Sequence, residues 1–137
     1  MQRFFCALIL FSLIFAVGCG GNVVIKGTAK MADGTVIDHG TVYFEGDAGQ
    51  FSADIQSDGT FSPGRLQDGD GIPTGVYQIT VGGVVRYEGE FRMQGLVSVY
   101  PTTVPLIHSK YMNASTSGLS IDTSQSKKVD LVLDPAE

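Results

Sequence analysis

The 137-residue chain has no tryptophan, two cysteines and two histidines. The shortage of cysteine excludes the most chemistry. Cys6 and Cys19 both lie near the start, so everything after Cys19 is free of thiols. That rules out an intramolecular disulfide framework, a thiolate zinc site and a cysteine nucleophile in the body of the protein. His39 and His108 have no histidine partner at ligand spacing, and zinc wants four ligands. No G-x-S-x-G turn accompanies the many serines, so a Ser-His-Asp arrangement has no support. Basic residues are also few. Nine stand against 14 acidic ones, a net charge of −5, which excludes nucleic acid as a partner because phosphates demand a basic face. Finally, no stretch sustains an apolar period of 3.6 residues, which argues against a helical bundle.

What the chain does have begins with one long apolar run. Phe4 to Val17 follow Arg3 and end at Gly18-Cys19. The run's 14 residues fit the h-region of an export signal and fall short of the roughly 20 that span a bilayer. Ala16-Val17-Gly18-Cys19 resembles the bacterial lipobox, with Ala16 where leucine is usual. The resemblance implies that residues 1–18 are a signal peptide, that the Cys19 sulfur receives a diacylglycerol, and that the cut falls before it. The new amine is then acylated. Two or three acyl chains hold a protein firmly where one is marginal. An ordinary cleaved signal with a chance cysteine, or an uncleaved anchor, would use the same residues. Gly20 stands where some lipoproteins carry the aspartate that retains them at the inner membrane, so the resemblance favours the outer membrane. The expectation is an exported, lipid-anchored envelope protein that meets membrane lipid through Cys19.

Cleavage before Cys19 leaves 119 residues with 8 basic and 14 acidic side chains, enough for one domain with a modest core. An acidic surface gains nothing from anionic lipid, so the acyl chains must do the anchoring. Gly20 to Asn22 reach only about 10 Å at ~3.5 Å per residue. The chain therefore divides into a signal peptide (1–18), a lipidated anchor with a short tether (19–22) and one domain (23–137).

The domain reads as all-β. Ile25, Gly27 and Ala29 alternate with Lys26, Thr28 and Lys30. The same period of two places Val42 with Phe44, Phe51 with Ala53 and Ile55, and Tyr77 with Ile79 and Val81. It recurs in Val85, Tyr87 and Phe91, and again in Val129, Leu131 and Leu133. Asp33-Gly34 and Asp58-Gly59 read as hairpin turns, Asp68 to Gly75 as a longer loop, and Gly82-Gly83 as another hairpin turn or a bulge. Pro101 and Pro105 exclude a central strand around them. Ser109 to Asn113 fit one helical turn. Such short, regularly spaced strands predict a sandwich or barrel.

The order of these pieces resembles carboxypeptidase regulatory-like, transthyretin-like domains. Ile25-Lys26-Gly27-Thr28-Ala29, Asp33-Gly34-Thr35-Val36 and Gly40-Thr41-Val42-Tyr43-Phe44 match their opening strand, turn and strand. Ser57-Asp58-Gly59-Thr60-Phe61 is similar to their D-G-x-F hairpin, and Pro73-Thr74-Gly75-Val76-Tyr77 to their P-x-G-x-Y strand. Leu106 to Tyr111 and Thr116 to Leu119 resemble the tail of small bacterial lipoproteins of this class, with His108 where proline is usual. The resemblance implies an Ig-like or transthyretin-like antiparallel β-sandwich of about seven strands. It carries over no catalytic residue, because the C-terminal tail lacks the Tyr-Arg-Gly-Ser of the related hydrolases. Val84 to Tyr100 depart from the pattern and read as an extra hairpin.

The remaining chemistry is thin. Asp68 and Asp70 begin like a calcium loop, but positions 5 and 12 are Ile72 and Ile79, so an EF-hand is excluded and a looser calcium site stays open. Glu88 and Glu90, two apart on a strand, share one face beside Arg86 and Arg92. Tyr43, Tyr87, Tyr100 and Tyr111 are candidates for a sugar platform or for the core and its edge. Asn113-Ala114-Ser115 is a glycosylation sequon that an envelope lipoprotein would carry by coincidence. The expected function is non-catalytic: a structural, adhesive or protein-interaction module with an envelope partner, no cofactor and no metal. The alternative is a carbohydrate- or calcium-binding module.

Overall fold

The computed structural model describes residues 21–137. The expected signal peptide, its helix and Cys19 lie outside the described residues. The strands are β1 (Asn22–Val23), β2 (Lys26–Met31), β3 (Thr41–Gly46), β4 (Gly49–Asp54), β5 (Thr60–Phe61), β6 (Ile72–Pro73) and β7 (Val76–Gly82). They continue as β8 (Val85–Glu88), β9 (Arg92–Gln94), β10 (Val97–Val99), β11 (Thr102–Pro105), β12 (Leu119–Asp122) and β13 (Lys128–Leu133). A 3₁₀ turn at Ser109–Met112 and a single α turn, α1 (Ala114–Ser117), sit between β11 and β12.

Period-two alternation decides which side chains go inside. On β3, Val42 and Phe44 are fully buried while Tyr43 between them is 37% exposed. On β7, Tyr77, Ile79 and Val81 are buried and Gln78 is exposed. These strands belong to a four-stranded antiparallel sheet ordered β12-β7-β3-β4. A three-stranded sheet, β13-β2-β5, supplies Ala29, Phe61, Leu131 and Leu133 to the same hydrophobic cluster. The Phe44 and Phe61 rings meet across the two layers, with centroids 6.3 Å apart. Seven strands thus enclose one core between two sheets. Each fully buried aliphatic or Phe side chain there contributes about 1.5–3 kcal/mol.

The expectation of a wholly antiparallel sandwich is corrected at one seam. β13 runs parallel to β2, with Lys128 opposite Lys26 and Leu133 opposite Met31. A short hairpin loop forces neighbours to be antiparallel, whereas strands joined through the whole domain are free of that constraint. β2 and β13 are first and last among the sandwich strands, and the direction of each is set by its other contacts.

Aspartates start several turns by accepting the backbone N–H two residues on. Asp33 Oδ1 accepts from Thr35 N at 2.8 Å, Asp58 Oδ1 from Thr60 N at 2.9 Å and Asp122 Oδ1 from Ser124 N at 3.0 Å. Thr60 holds the Asp58 carboxyl below its ordinary pKa, because its hydroxyl and amide both favour the ionised form. The 3₁₀ turn is fastened by a second device. Tyr111 is buried, its hydroxyl donates to Asp134 Oδ2 at 3.0 Å, and the hydroxyl oxygen in turn accepts from Asp134 N at 3.1 Å. Lys110 pairs with that carboxylate, lies 4.9 Å from the Tyr111 ring centroid, and lowers the Asp134 pKa.

Candidate functional site

β8 to β11 form an arm that belongs to neither layer. β8 pairs with β11 from Val85↔Pro105 to Glu88↔Thr102, and β9 pairs with β10 from Arg92↔Val99 to Gln94↔Val97. Between the ladders the outgoing side has three residues, 89–91, and the return side two, 100–101, so an extra residue is inserted on the outgoing side, around Gly89 (φ +91°). Such a bulge increases twist and flips the side-chain phase. Glu88 and Glu90 therefore fall out of step, and their expected common face is not formed. Instead Glu88 pairs with Arg86 at 2.7 Å and Glu90 lies 3.7 Å from Arg92. Gly95 (φ +65°) makes the tight turn at the tip, a conformation that favours glycine.

At ~3.3 Å per residue the outgoing strand is roughly 30 Å long. The expected extra hairpin is present and extends further than expected. Its return strand, β11, includes Pro105 and follows Pro101, which a two-stranded ribbon with a free edge tolerates. Val84 is buried at the base, but no residue from Val85 to Pro105 is. Leu96 is fully exposed at the turn. Phe91 and Tyr100 stack on one face with centroids 5.4 Å apart, and Met93 shares that face with Ser98, whose hydroxyl donates to its sulfur at 3.3 Å. Val97 and Val99 occupy the other face with Arg92 and Gln94.

His39 clips the base of this arm. Its Nδ1 lies 2.6 Å from Asp38 Oδ1 and its Nε2 2.7 Å from the Val85 carbonyl. Two acceptors are best met by an imidazolium, and the Asp38 contact, helped by Val85 and opposed by partial burial, raises the His39 pKa. Asp38 and His39 line a recess of about 270 Å³ with Met31, Val84 and Leu106. An Asp–His pair in a recess invites a catalytic reading, but Nε2, the nitrogen a general base would use, is held on backbone. His108 is similarly occupied. Its Nδ1 accepts from Lys110 N at 3.1 Å, and Nε2 lies 3.3 Å from Glu137 Oε1.

The other sequence candidates are scattered. Asp68 Oδ2 accepts from Asp54 N at 2.9 Å and Asp70 Oδ2 from Gln67 N at 3.2 Å, so both carboxylates fasten the loop to itself and to β4. Among the described residues no group of three His, Cys, Asp or Glu side chains is placed to hold a metal ion. Tyr111 is core. Tyr43 is exposed on the sandwich, and Tyr87 and Tyr100 are exposed on the arm, so the four tyrosines form no common platform. A recess of about 550 Å³ beside β2 and β5 is lined by Lys26, Thr28, Phe61, Asp68 and Lys128, and another of about 680 Å³ lies by Glu45, Asp47, Thr74 and Gln78. No helix among the described residues is long and apolar enough to cross a membrane.

The comparisons with known proteins add no identity: no family model, curated protein or solved structure matches the chain.

One relation spans the molecule. β1 pairs with β6, with Asn22 opposite Pro73, just before β7 begins at Val76. The arm leaves just after β7 ends at Gly82. Asn22 and the arm's base therefore lie at opposite ends of the sandwich.

Proposed function

We propose that the chain is an exported envelope lipoprotein, held by acyl chains on Cys19 with the outer membrane as its favoured site, whose Ig-like or transthyretin-like sandwich is a non-catalytic structural and adhesive module. The observation that carries this reading is the opposition of Asn22 and the arm across β7. A tether of three residues places Asn22 near the lipid, and the sandwich then holds the arm away from it. In support of this reading, the ring nitrogens of both histidines are engaged, and Asp68 and Asp70 accept from backbone amides. A glycan-binding module is the second reading, favoured by the exposed rings of Tyr87 and Tyr100. Calorimetric titration with a glycan panel separates the two.

The anchor is tested by feeding cells an alkyne-tagged fatty acid. The native chain should take up label and a Cys19→Ser variant none. Unlabelled native protein, or a labelled variant, overturns the lipoprotein reading.

A further inference from the structure

We propose that the tip of the arm inserts shallowly into a lipid surface. The first argument is that the tip exposes apolar side chains on both faces and at the turn. Phe91, Met93 and Tyr100 occupy one face, Val97 and Val99 the other, and Leu96 caps the turn. A partner that packs against one face of the ribbon leaves the other face and the turn in water. The tip needs an occupant that surrounds it, and the acyl boundary of a bilayer does so without a matching shape.

The carboxylates of the arm are confined to its lower half. Arg86, Glu88 and Glu90 lie toward the base. Phe91 and Tyr100 come next, as an aromatic pair at the depth where amphipathic rings favour the headgroup layer. Met93, Leu96 and Val97 come last. The charge pattern agrees. This acidic chain carries no Asp or Glu from Phe91 to Ile121, and the one charge on the tip is Arg92, 3.7 Å from Glu90 just outside it. Insertion stops at the turn because β9 and β10 each keep an unpaired edge, and unpaired backbone groups are not tolerated in hydrocarbon. Size disfavours a second copy of the chain. Phe91 to Tyr100 is ten residues, whereas a stable protein interface takes about 20–30 residues a side.

The arm leaves the sandwich opposite Asn22, so the surface it reaches is not the leaflet that holds Cys19 but a second, facing one. The facing geometry rests on the lipoprotein reading, whereas the insertion does not.

The absence of tryptophan makes the test direct. Leu96→Trp puts the only indole of the chain at the turn. The full chain carrying it is reconstituted into donor vesicles and mixed with acceptor vesicles of brominated phosphatidylcholine, with and without phosphatidylglycerol. The expected result is a blue shift of the indole emission and quenching by the acceptor lipid. Leu66→Trp, on the exposed loop after β5, should show neither. Adding Val97→Asp to Leu96→Trp should abolish both signals, and their persistence would count against the proposal. Flotation of the donor vesicles reads the anchor separately. Protein that fails to float breaks the lipoprotein reading, while the indole still reports on the arm. Quenching only when the donor lipid is brominated overturns the facing geometry. Unshifted emission with every vesicle overturns insertion and assigns the tip to an apolar protein cleft.

Discussion

The sandwich and the arm use the same kinds of residue to opposite ends. In the sandwich, Val42, Phe44, Ile79 and Val81 lie between two sheets and lose nearly all contact with water. In the arm, Phe91, Met93, Val97 and Val99 also stand in a strand-rich ribbon, but no second layer covers them. The difference is one of layers. A sheet whose apolar face meets another sheet closes a core, and an isolated two-stranded ribbon is marginal by itself. The His39 clip and the buried Val84 hold the arm only at its base. A chain that leaves apolar side chains uncovered next to a completed core keeps them for contact with something else.

The contrast can be broken or sharpened in three steps, the largest first. Phe44→Ala should destabilise the protein by about 3–5 kcal/mol in denaturant unfolding, because it empties a site between both sheets. A cost below about 1 kcal/mol would mean that the two layers are not a shared core. Replacing Arg86 to Val104 with a short glycine-containing turn should shift stability by no more than about 0.5 kcal/mol, since nothing in that segment is buried. A large loss would show that the arm leans on the sandwich, contrary to its exposed surface.

The smallest effect is that of pH on the arm's base. A raised His39 pKa adds stability that is fully present below the ordinary value of about 6.5 and is lost as pH rises through the raised one. The loss should be modest, because the side chain is 44% exposed. Neutral His39 can also turn Nε2 into an acceptor for Val85 N, 3.2 Å away. Hydrogen exchange at the arm's base, corrected for intrinsic rate, should loosen slightly above that pH in the native chain. It should be flat in His39→Gln, and a pH response that persists in the variant would remove His39 from the account.

Much of the sandwich was legible because half-burial writes itself as alternation. The pairs Val42/Phe44 and Leu131/Leu133, the Asp33 and Asp58 turns and the helical turn at Ser109 were all readable locally. The parallel seam between β2 and β13 was not, because strand direction depends on contacts distant in sequence. The arm was half legible. Its outgoing strand alternates, while Pro101 and Pro105 disguise the return strand, and the inserted residue near Gly89 spoils the phase that would place Glu88 and Glu90 together. Among the candidate residues, His39 stood out by type, but its partner, the Val85 carbonyl, is backbone and leaves no mark in a sequence. The Tyr111–Lys110–Asp134 lock was missed for a related reason: Asp134 lies more than 20 residues from the adjacent pair Lys110 and Tyr111.

The parallel seam also bears on how the protein is made. β2 occupies the middle of its sheet, and β13, some hundred residues downstream, is one of its two neighbours. Contacts that distant close slowly, since the intervening chain must be ordered first. On the ribosome the sheet stays incomplete until β13 has emerged, and β2 waits with one side unpaired. The two-layer core is therefore completed only at the end of synthesis, when β12 and β13 take their places.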